Sequence, residues 1–267
     1  MGYLREIVLE IQAATTRPAY LPPDRPPSAR GPRASLRDSI ERSGPSGALV
    51  VEFKRVSPGS ESPQLPPRSP VEFVRATASA PVAGYSCIAT GPRFFGSPND
   101  VAELAASTDR PVLFKDFVVS ERQLDAAVWA GARAVLLIAR LEPAGLLATP
   151  LDELSRAARA RGLEVLLEFH DRSELRLAGN VAADMYGVNV RDLDTLRMEP
   201  GVAEATIRAA GQLRPLLGLS GVSTPADAQR FWELGVDGIL VGSAVARAVD
   251  PGAFLRSLRR EPSAGAT

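Results

Sequence analysis

The chain of 267 residues carries 31 basic and 31 acidic side chains, so it has no net charge, and 45% of it is hydrophobic against 23% charged. That balance offers no electrostatic attraction to nucleic acid or an anionic membrane, no apolar run reaches the roughly 18 residues of a membrane span, and no secretory leader is read at the start. The lone Cys87 has no internal disulfide partner and lies in an apolar run, and one histidine beside it is too few soft ligands for structural zinc. The expected setting is a reducing cytoplasm, with no metal site.

In chain order, Leu4, Ile7, Val8 and Ile11 fall on one helical face, which predicts a helix over residues 3–14. The proline-rich stretch Arg17 to Pro32 links it onward. Eight apolar, β-branched runs follow at 48–54, 84–90, 112–117, 134–139, 164–169, 185–190, 216–220 and 238–242. Their ends recur at roughly 20 to 36 residues, the length of a strand, a crossover helix and two loops. Several runs are continuously apolar, as parallel strands covered on both faces are. Between them, Ser120 with Gln123, the Asp152 to Arg161 segment before Gly162, and Thr224-Pro225 mark helix ends. These signals predict an α/β fold, a TIM (β/α)8 barrel over 48–260, with an N-terminal helical extension and proline-rich linker over 1–47 and a disordered tail over 261–267. A second proline-rich stretch, Ser57 to Pro70, follows the first strand and reads equally as a lid or a tolerated insertion.

Chemistry in parallel α/β folds gathers at the C-terminal ends of the strands. Glu52 and Lys54 stand two residues apart at the end of the first run, so alternation points both to one side. Lys115 ends the third run and Glu168 the fifth, so two lysines and two glutamates converge at one end of the barrel. Lys54 and Lys115 are the only lysines; every other basic side chain is arginine. A lysine desolvated beside another cation loses basicity and becomes a usable acid or an imine-forming nucleophile at neutral pH. Two lysines kept at strand ends therefore point to a titratable amine rather than to plain ion pairs with Glu52 and Asp116. Glu168, closing an apolar strand, suits general-base work. Asn189 and Arg191 share one side of the sixth strand's end, where an amide and a guanidinium fork suit a carboxylate. The plain alternative for Arg191 is an ion pair with Asp192 or Asp194. His170 alternates onto Glu168's side, where it either contacts ligand or only fixes that carboxylate, and it stays outside the catalytic set. Ser220-Gly221 and Gly242-Ser243 follow the seventh and eighth runs, where glycine admits backbone N–H groups to an anion and a short helix from Ser243 adds its N-terminus. With Ser57 they form the expected site for a phosphate monoester, unless the glycines serve turns alone.

These motifs, taken in order with Ser57-Pro58, Phe94-Phe95-Gly96, Lys115-Asp116-Phe117, Asn189-Val190-Arg191-Asp192 and Val241-Gly242-Ser243, resemble indole-3-glycerol phosphate synthase over most of the chain. The resemblance implies a cofactor-free carboxy-lyase of tryptophan biosynthesis. Its reaction closes an indole ring on 1-(2-carboxyphenylamino)-1-deoxyribulose 5-phosphate with loss of carbon dioxide and water. It implies Lys115 as general acid at the substrate carbonyl, Glu168 as base in the dehydration, and Lys54 as a positioning lysine and proton donor. Glu52 and Asn189 would orient these groups. Arg191, Ser57, Phe94, Phe117 and Leu219 would contact substrate, and Ser57, Ser220, Gly221, Gly242 and Ser243 its phosphate. The chain departs from the family pattern at Leu219, in place of a glutamate, at Gly91, at a glycine missing near Gly96, at His170, and in the loop Ser57-Pro58-Gly59-Ser60. Because these departures surround the site, a diverged paralogue in specialised metabolism, acting on a ring-substituted substrate, is expected. The alternatives are another condensation or isomerisation of a sugar phosphate, or a barrel that only binds a phosphorylated ligand or a protein. The expected partner is a phosphorylated small molecule, without nucleic acid or membrane, and the expected state a monomer or weak homodimer.

Overall fold

In the computed structural model, described over residues 2–17, 20, 34–57 and 68–260, eight parallel strands close into a barrel in sequence order. They are β1 (Ala48–Phe53), β2 (Gly84–Ile88), β3 (Val112–Lys115), β4 (Ala134–Ile138), β5 (Glu164–Phe169), β6 (Met185–Asn189), β7 (Leu216–Leu219) and β8 (Gly238–Val241). Each fills the run marked in the sequence and ends at the same residue or one or two sooner, because the last residues of a run already belong to the loops over the C-terminal rim. The surrounding helices are α1 (Tyr3–Thr15), α2 (Leu36–Glu41), α3 (Pro70–Thr77), α4 (Pro98–Ala106), α5 (Glu121–Trp129), α6 (Leu151–Ala160), α7 (Pro200–Ala210), α8 (Pro225–Glu233), α9 (Ser243–Arg247) and α10 (Pro251–Ser257). Between β5 and β6 the crossover is a 3-10 segment, Glu174–Gly179.

Alternation sorts the strand residues into two cores. Val50, Leu113, Leu136, Leu166, Leu217 and Leu240 belong to one buried cluster inside the barrel, while Val51, Cys87, Phe114, Leu137, Leu167 and Ile239 pack outward under the helices. Burying both faces is why the strands read as unbroken apolar runs, and each large side chain so buried is worth about 1.5–3 kcal/mol.

The two ends of the barrel are closed by N-terminal elements. Helix α1 buries Leu4, Ile7, Val8 and Ile11, the face the sequence predicts, in the same cluster as Phe94 and Phe117. It is pinned by Arg93, which donates to Glu6 at 3.1 Å and Glu10 at 2.6 Å and lies 4.7 Å over the Tyr3 ring. Helix α2 was not foreseen in the sequence, where its residues were assigned to the linker. Ser35 caps it by accepting from Asp38 N at 3.0 Å, and Leu36 N donates to Glu164 at 2.7 Å at the opposite end of the barrel. The Ser35 to Asp38 spacing is the missed signal. Within the linker, the expected lid and the tail, residues 18, 19, 21–33, 58–67 and 261–267 lie outside the described ones. Among the described residues no helix is long and apolar enough to cross a membrane.

Candidate active site

Register brings the chemistry to one rim. Glu52 pairs with Ser86, Ile88 with Lys115, Ile138 with Glu168, and Asn189 with Leu219. A cavity of about 540 Å³ opens there, and every residue the sequence nominates lines it: Glu52, Lys54, Ser57, Phe94, Lys115, Phe117, Glu168, Asn189, Arg191, Leu219, Ser220, Gly221, Gly242 and Ser243. Its wall of Ile88, Phe94, Phe117, Leu136, Ile138 and Leu219 is apolar, the lining an aromatic ring requires.

Glu52 sits between the two lysines. Its Oε1 is 3.1 Å from Lys54 Nζ and its Oε2 is 3.9 Å from Lys115 Nζ, with Ser86 Oγ donating at 3.4 Å. Burial pushes the Glu52 carboxyl up, but the two ammonium groups outweigh it and hold the group below the usual carboxylate range. Burial also pushes Lys54 down; Glu52 pulls it back, Lys115 and Arg191 add to the lowering, and the net value lies below that of a solvent lysine. Lys54 thus gives up its proton more readily than an exposed amine. Gly242 presses on this pair: a Cβ there would stand 3.0 Å from Glu52 Oε1 and 3.1 Å from Lys54 Cε, so the glycine does more than serve a turn.

The plain ion-pair alternative holds for Glu52 and fails for Asp116. Asp116 is buried and accepts from Thr90 Oγ1 at 2.6 Å, Gln123 Nε2 at 2.9 Å, Phe117 N at 2.9 Å and Tyr20 OH at 3.2 Å, and burial raises its pKa. It anchors the β3–α5 loop and leaves Lys115 to the cavity. Across the mouth, Glu168 Oε1 accepts from Asn189 Nδ2 at 3.1 Å, while Oε2 is buried without a hydrogen-bond partner. Such an orphan acceptor costs about 1–3 kcal/mol and is satisfied by a ligand that donates.

Arg191 departs from its plain reading. Its Nη1 donates to Leu196 O at 2.7 Å, its backbone N donates to Asn189 Oδ1 at 3.0 Å, and among the described residues it has no carboxylate in ion-pair range. Asp192 is instead paired with Arg140. Burial alone pushes the Arg191 guanidinium down, so a half-buried cation faces the cavity without a counter-charge.

His170 also requires correction, because β5 stops at Phe169 and strand parity no longer governs the next residue. Its ring turns from Glu168, Nδ1 lying 3.0 Å from Asn189 O and Nε2 3.0 Å from Glu199 Oε2. His170, Asp192 and Glu199 place one ligand atom each within 4.8 Å of one another, the donor types of a cation site. Arg140 already occupies Asp192, Asp171 and Glu174, so the grouping is a hydrogen-bonded ion cluster.

The β7–β8 side of the same rim suits an anion. Ser220 and Gly221 have φ of 64° and 81°, a left-handed pair turning the chain away from the end of β7, and at Ser220 this costs of order 1 kcal/mol. Ser57 Oγ and Ser243 Oγ lie 3.0 Å apart beside Gly242, which precedes α9. Tyr3, Thr90 and Arg247 also line the cavity and were missed. Tyr3 reaches it only because α1 docks on the barrel, and nothing in the local sequence signals that.

The profile of the family "Indole-3-glycerol phosphate synthase" matches residues 5–258. Among curated relatives, "Indole-3-glycerol phosphate synthase 2" of Streptomyces coelicolor is 37% identical over 233 residues, 87% of this chain and 86% of that protein. "Indole-3-glycerol phosphate synthase" of Deinococcus radiodurans is 34% identical over 262 residues, 96% and 94% of the two chains. Among solved structures, tryptophan synthase subunit alpha from Legionella pneumophila superposes with a TM-score of 0.59 at 18% identity, over 84% of this chain and 96% of that one, a likeness of fold alone.

Proposed function

This chain belongs to the indole-3-glycerol phosphate synthase family, and from that premise we propose that it closes the indole ring of 1-(2-carboxyphenylamino)-1-deoxyribulose 5-phosphate, or of a ring-substituted analogue, releasing carbon dioxide and water. The observation that carries the reading is the placement of Glu52 between the chain's only two lysines, across one cavity from the orphan oxygen of Glu168. Family membership favours this lyase over another sugar-phosphate reaction or a binding-only barrel.

In the proposed sequence, Ser57, Ser220, Gly221, Gly242 and Ser243 hold the phosphate, and Arg191 takes the aryl carboxylate into its uncompensated charge. The ring lies on Phe94, Phe117 and Leu219. Lys115 protonates the ketone oxygen as the ring carbon bearing the carboxylate attacks the carbonyl carbon. Carbon dioxide then leaves and returns its bonding pair to the ring. Lys54 protonates the departing hydroxyl, and Glu168, held by Asn189, takes the proton whose loss completes the indole. The lowered basicity of Lys54 supports its role as donor. No cofactor enters this scheme.

Incubating the purified chain with the parent substrate and its ring-substituted analogues, while following indole absorbance and fluorescence, tests the reading; no product from any of them sinks it. Arg191→Met is expected to raise KM roughly 10- to 100-fold with kcat nearly unchanged, since a charge-assisted contact made equally in ground and transition states is lost. A fall in kcat with KM intact contradicts the binding role.

We further propose a barrel unit over 48–260 in a cytoplasmic monomer or weak homodimer that binds no nucleic acid. The zero net charge and the buried Cys87, whose thiol burial pushes well above its usual range, support this setting.

A further inference from the structure

We propose that Arg140, which stands outside the cavity, is a positioning residue for recognition of the substrate's ring carboxylate, acting on Arg191 through Asp192. The role rests on the reading of Arg191 as the group that takes that carboxylate. Arg140 belongs to the 3-10 turn Ala139–Leu141 that follows β4, and it is not among the residues lining the cavity. Its three guanidinium nitrogens are divided among three carboxylates: Nε donates to Glu174 at 2.7 Å, Nη2 to Asp171 at 2.9 Å, and Nη1 to Asp192. Asp171 and Glu174 come from the segment after β5, and Glu174 is fixed further by accepting from the backbone N of His170 at 2.7 Å. The planar fork therefore ties the ends of β4 and β5 into one post, and its third arm reaches the loop after β6.

That loop carries Arg191. Residues 190–199 fold back on themselves: Asp192 N donates to Arg197 O at 2.9 Å, Glu199 N donates to Val190 O at 2.8 Å, and Arg191 pairs with Met198 in an antiparallel bridge. Successive side chains of such an extended strip face opposite ways. Arg191 accordingly lines the cavity, while Asp192, 8% exposed, faces Arg140 behind it.

A continuous chain of hydrogen bonds joins the two arginines. Asp192 gives Oδ2 to Arg140 and with Oδ1 accepts from Asp194 N at 3.0 Å and Thr195 N at 2.7 Å. Those bonds shape the turn that runs to Leu196, whose φ of 58° is left-handed, and Leu196 O accepts from Arg191 Nη1 at 2.7 Å. The turn thereby sets the direction of the Arg191 fork, and a planar fork meets a carboxylate with two parallel bonds only when it is aimed correctly. Cutting Arg140 from Asp192 frees the strip and lets the fork swing, while the proposed phosphate side at Ser57 and Ser243 keeps its contacts.

Two unreactive ligands make the test selective: the proposed substrate reduced to the alcohol at its ketone, and the same molecule without the ring carboxylate, each titrated into the full chain by calorimetry. Arg140→Gln is expected to weaken binding of the carboxylated ligand roughly tenfold and that of the other by less than about twofold. Added to Arg191→Met, the same substitution is expected to change neither affinity by more than about twofold, because its effect passes through Arg191. Equal weakening of both ligands, or a further loss in the Arg191→Met background, marks a general structural role and overturns the proposal. Where Arg140→Gln does not fold, Asp192→Asn decides. It keeps an oxygen for the turn and leaves Arg140 paired with Asp171 and Glu174, so it cuts the link alone and is expected to give the same selective loss. An Arg191→Met chain that still prefers the carboxylated ligand as strongly as the wild type overturns the reading of Arg191 on which this rests. A preference lost in Arg191→Met but kept in both Arg140→Gln and Asp192→Asn overturns only the role of Arg140.

Discussion

Lys115→Met lowers kcat by at least about 10³-fold while changing affinity for inorganic phosphate by less than about twofold. Methionine keeps an unbranched apolar stem of similar reach and removes only the proton donor. Lys115 Nζ stands 3.9 Å from Glu52 Oε2 and points into the cavity, so no tight ion pair is broken and little stability is lost. The proposed phosphate contacts lie on the β7–β8 side of the same cavity, where Ser57 and Ser243 meet. Steady-state kinetics, with inorganic phosphate as competitor, separates the two quantities. Unchanged turnover removes Lys115 from the chemistry, and a parallel loss of phosphate affinity shows that the lysine binds rather than reacts.

Glu52→Gln is expected to be nearly as damaging, for a different reason. The carboxylate is the only acid within ion-pair range of Lys54 and Lys115 among the described residues, and its removal leaves two facing cations in a buried pocket. Stability is expected to fall by about 2–4 kcal/mol, and kcat/KM by about 10²-fold. The pH dependence carries the sign. In the native chain Glu52 pulls Lys54 upward against burial; with glutamine, burial and repulsion from Lys115 and Arg191 act unopposed. Lys54 then loses its proton at lower pH, and the alkaline decline in kcat/KM moves to lower pH. Glu52 itself is held below its ordinary value, so its contribution to stability is present above the usual glutamate range and is lost as pH falls through the lowered value. Urea unfolding across acid pH should show that loss in the native chain and not in Glu52→Gln. An alkaline limb that does not move removes the coupling between Glu52 and Lys54.

How much of this was legible follows from which distances are local. Alternation alone puts Glu52 and Lys54 on one side of β1, and the presence of only two lysines marks their positions before any coordinates are seen. The glycines after β7 and β8 were equally visible, since a left-handed Gly221 and a close-packed Gly242 both exclude a side chain. His170 was misplaced because parity ends where β5 ends. The plain ion pair of Arg191 with Asp192 could not be set aside from the sequence, because Arg140, some 50 residues upstream by number, is what takes Asp192.

The amino-acid sequence by itself determined the eight strands, the barrel they close into and the rim where the nominated residues gather, because each depends on a period of two along a strand or on the residue types at its end. The tertiary structure alone decided which charges face each other: that Glu52 divides itself between two lysines, that Arg191 is left uncompensated, that α1 brings Tyr3 to the mouth, and that His170 meets acceptors on both ring nitrogens. Those partners come from segments far apart in the chain, and only closure of the barrel sets the few ångströms between them on which every ion pair and proton transfer depends.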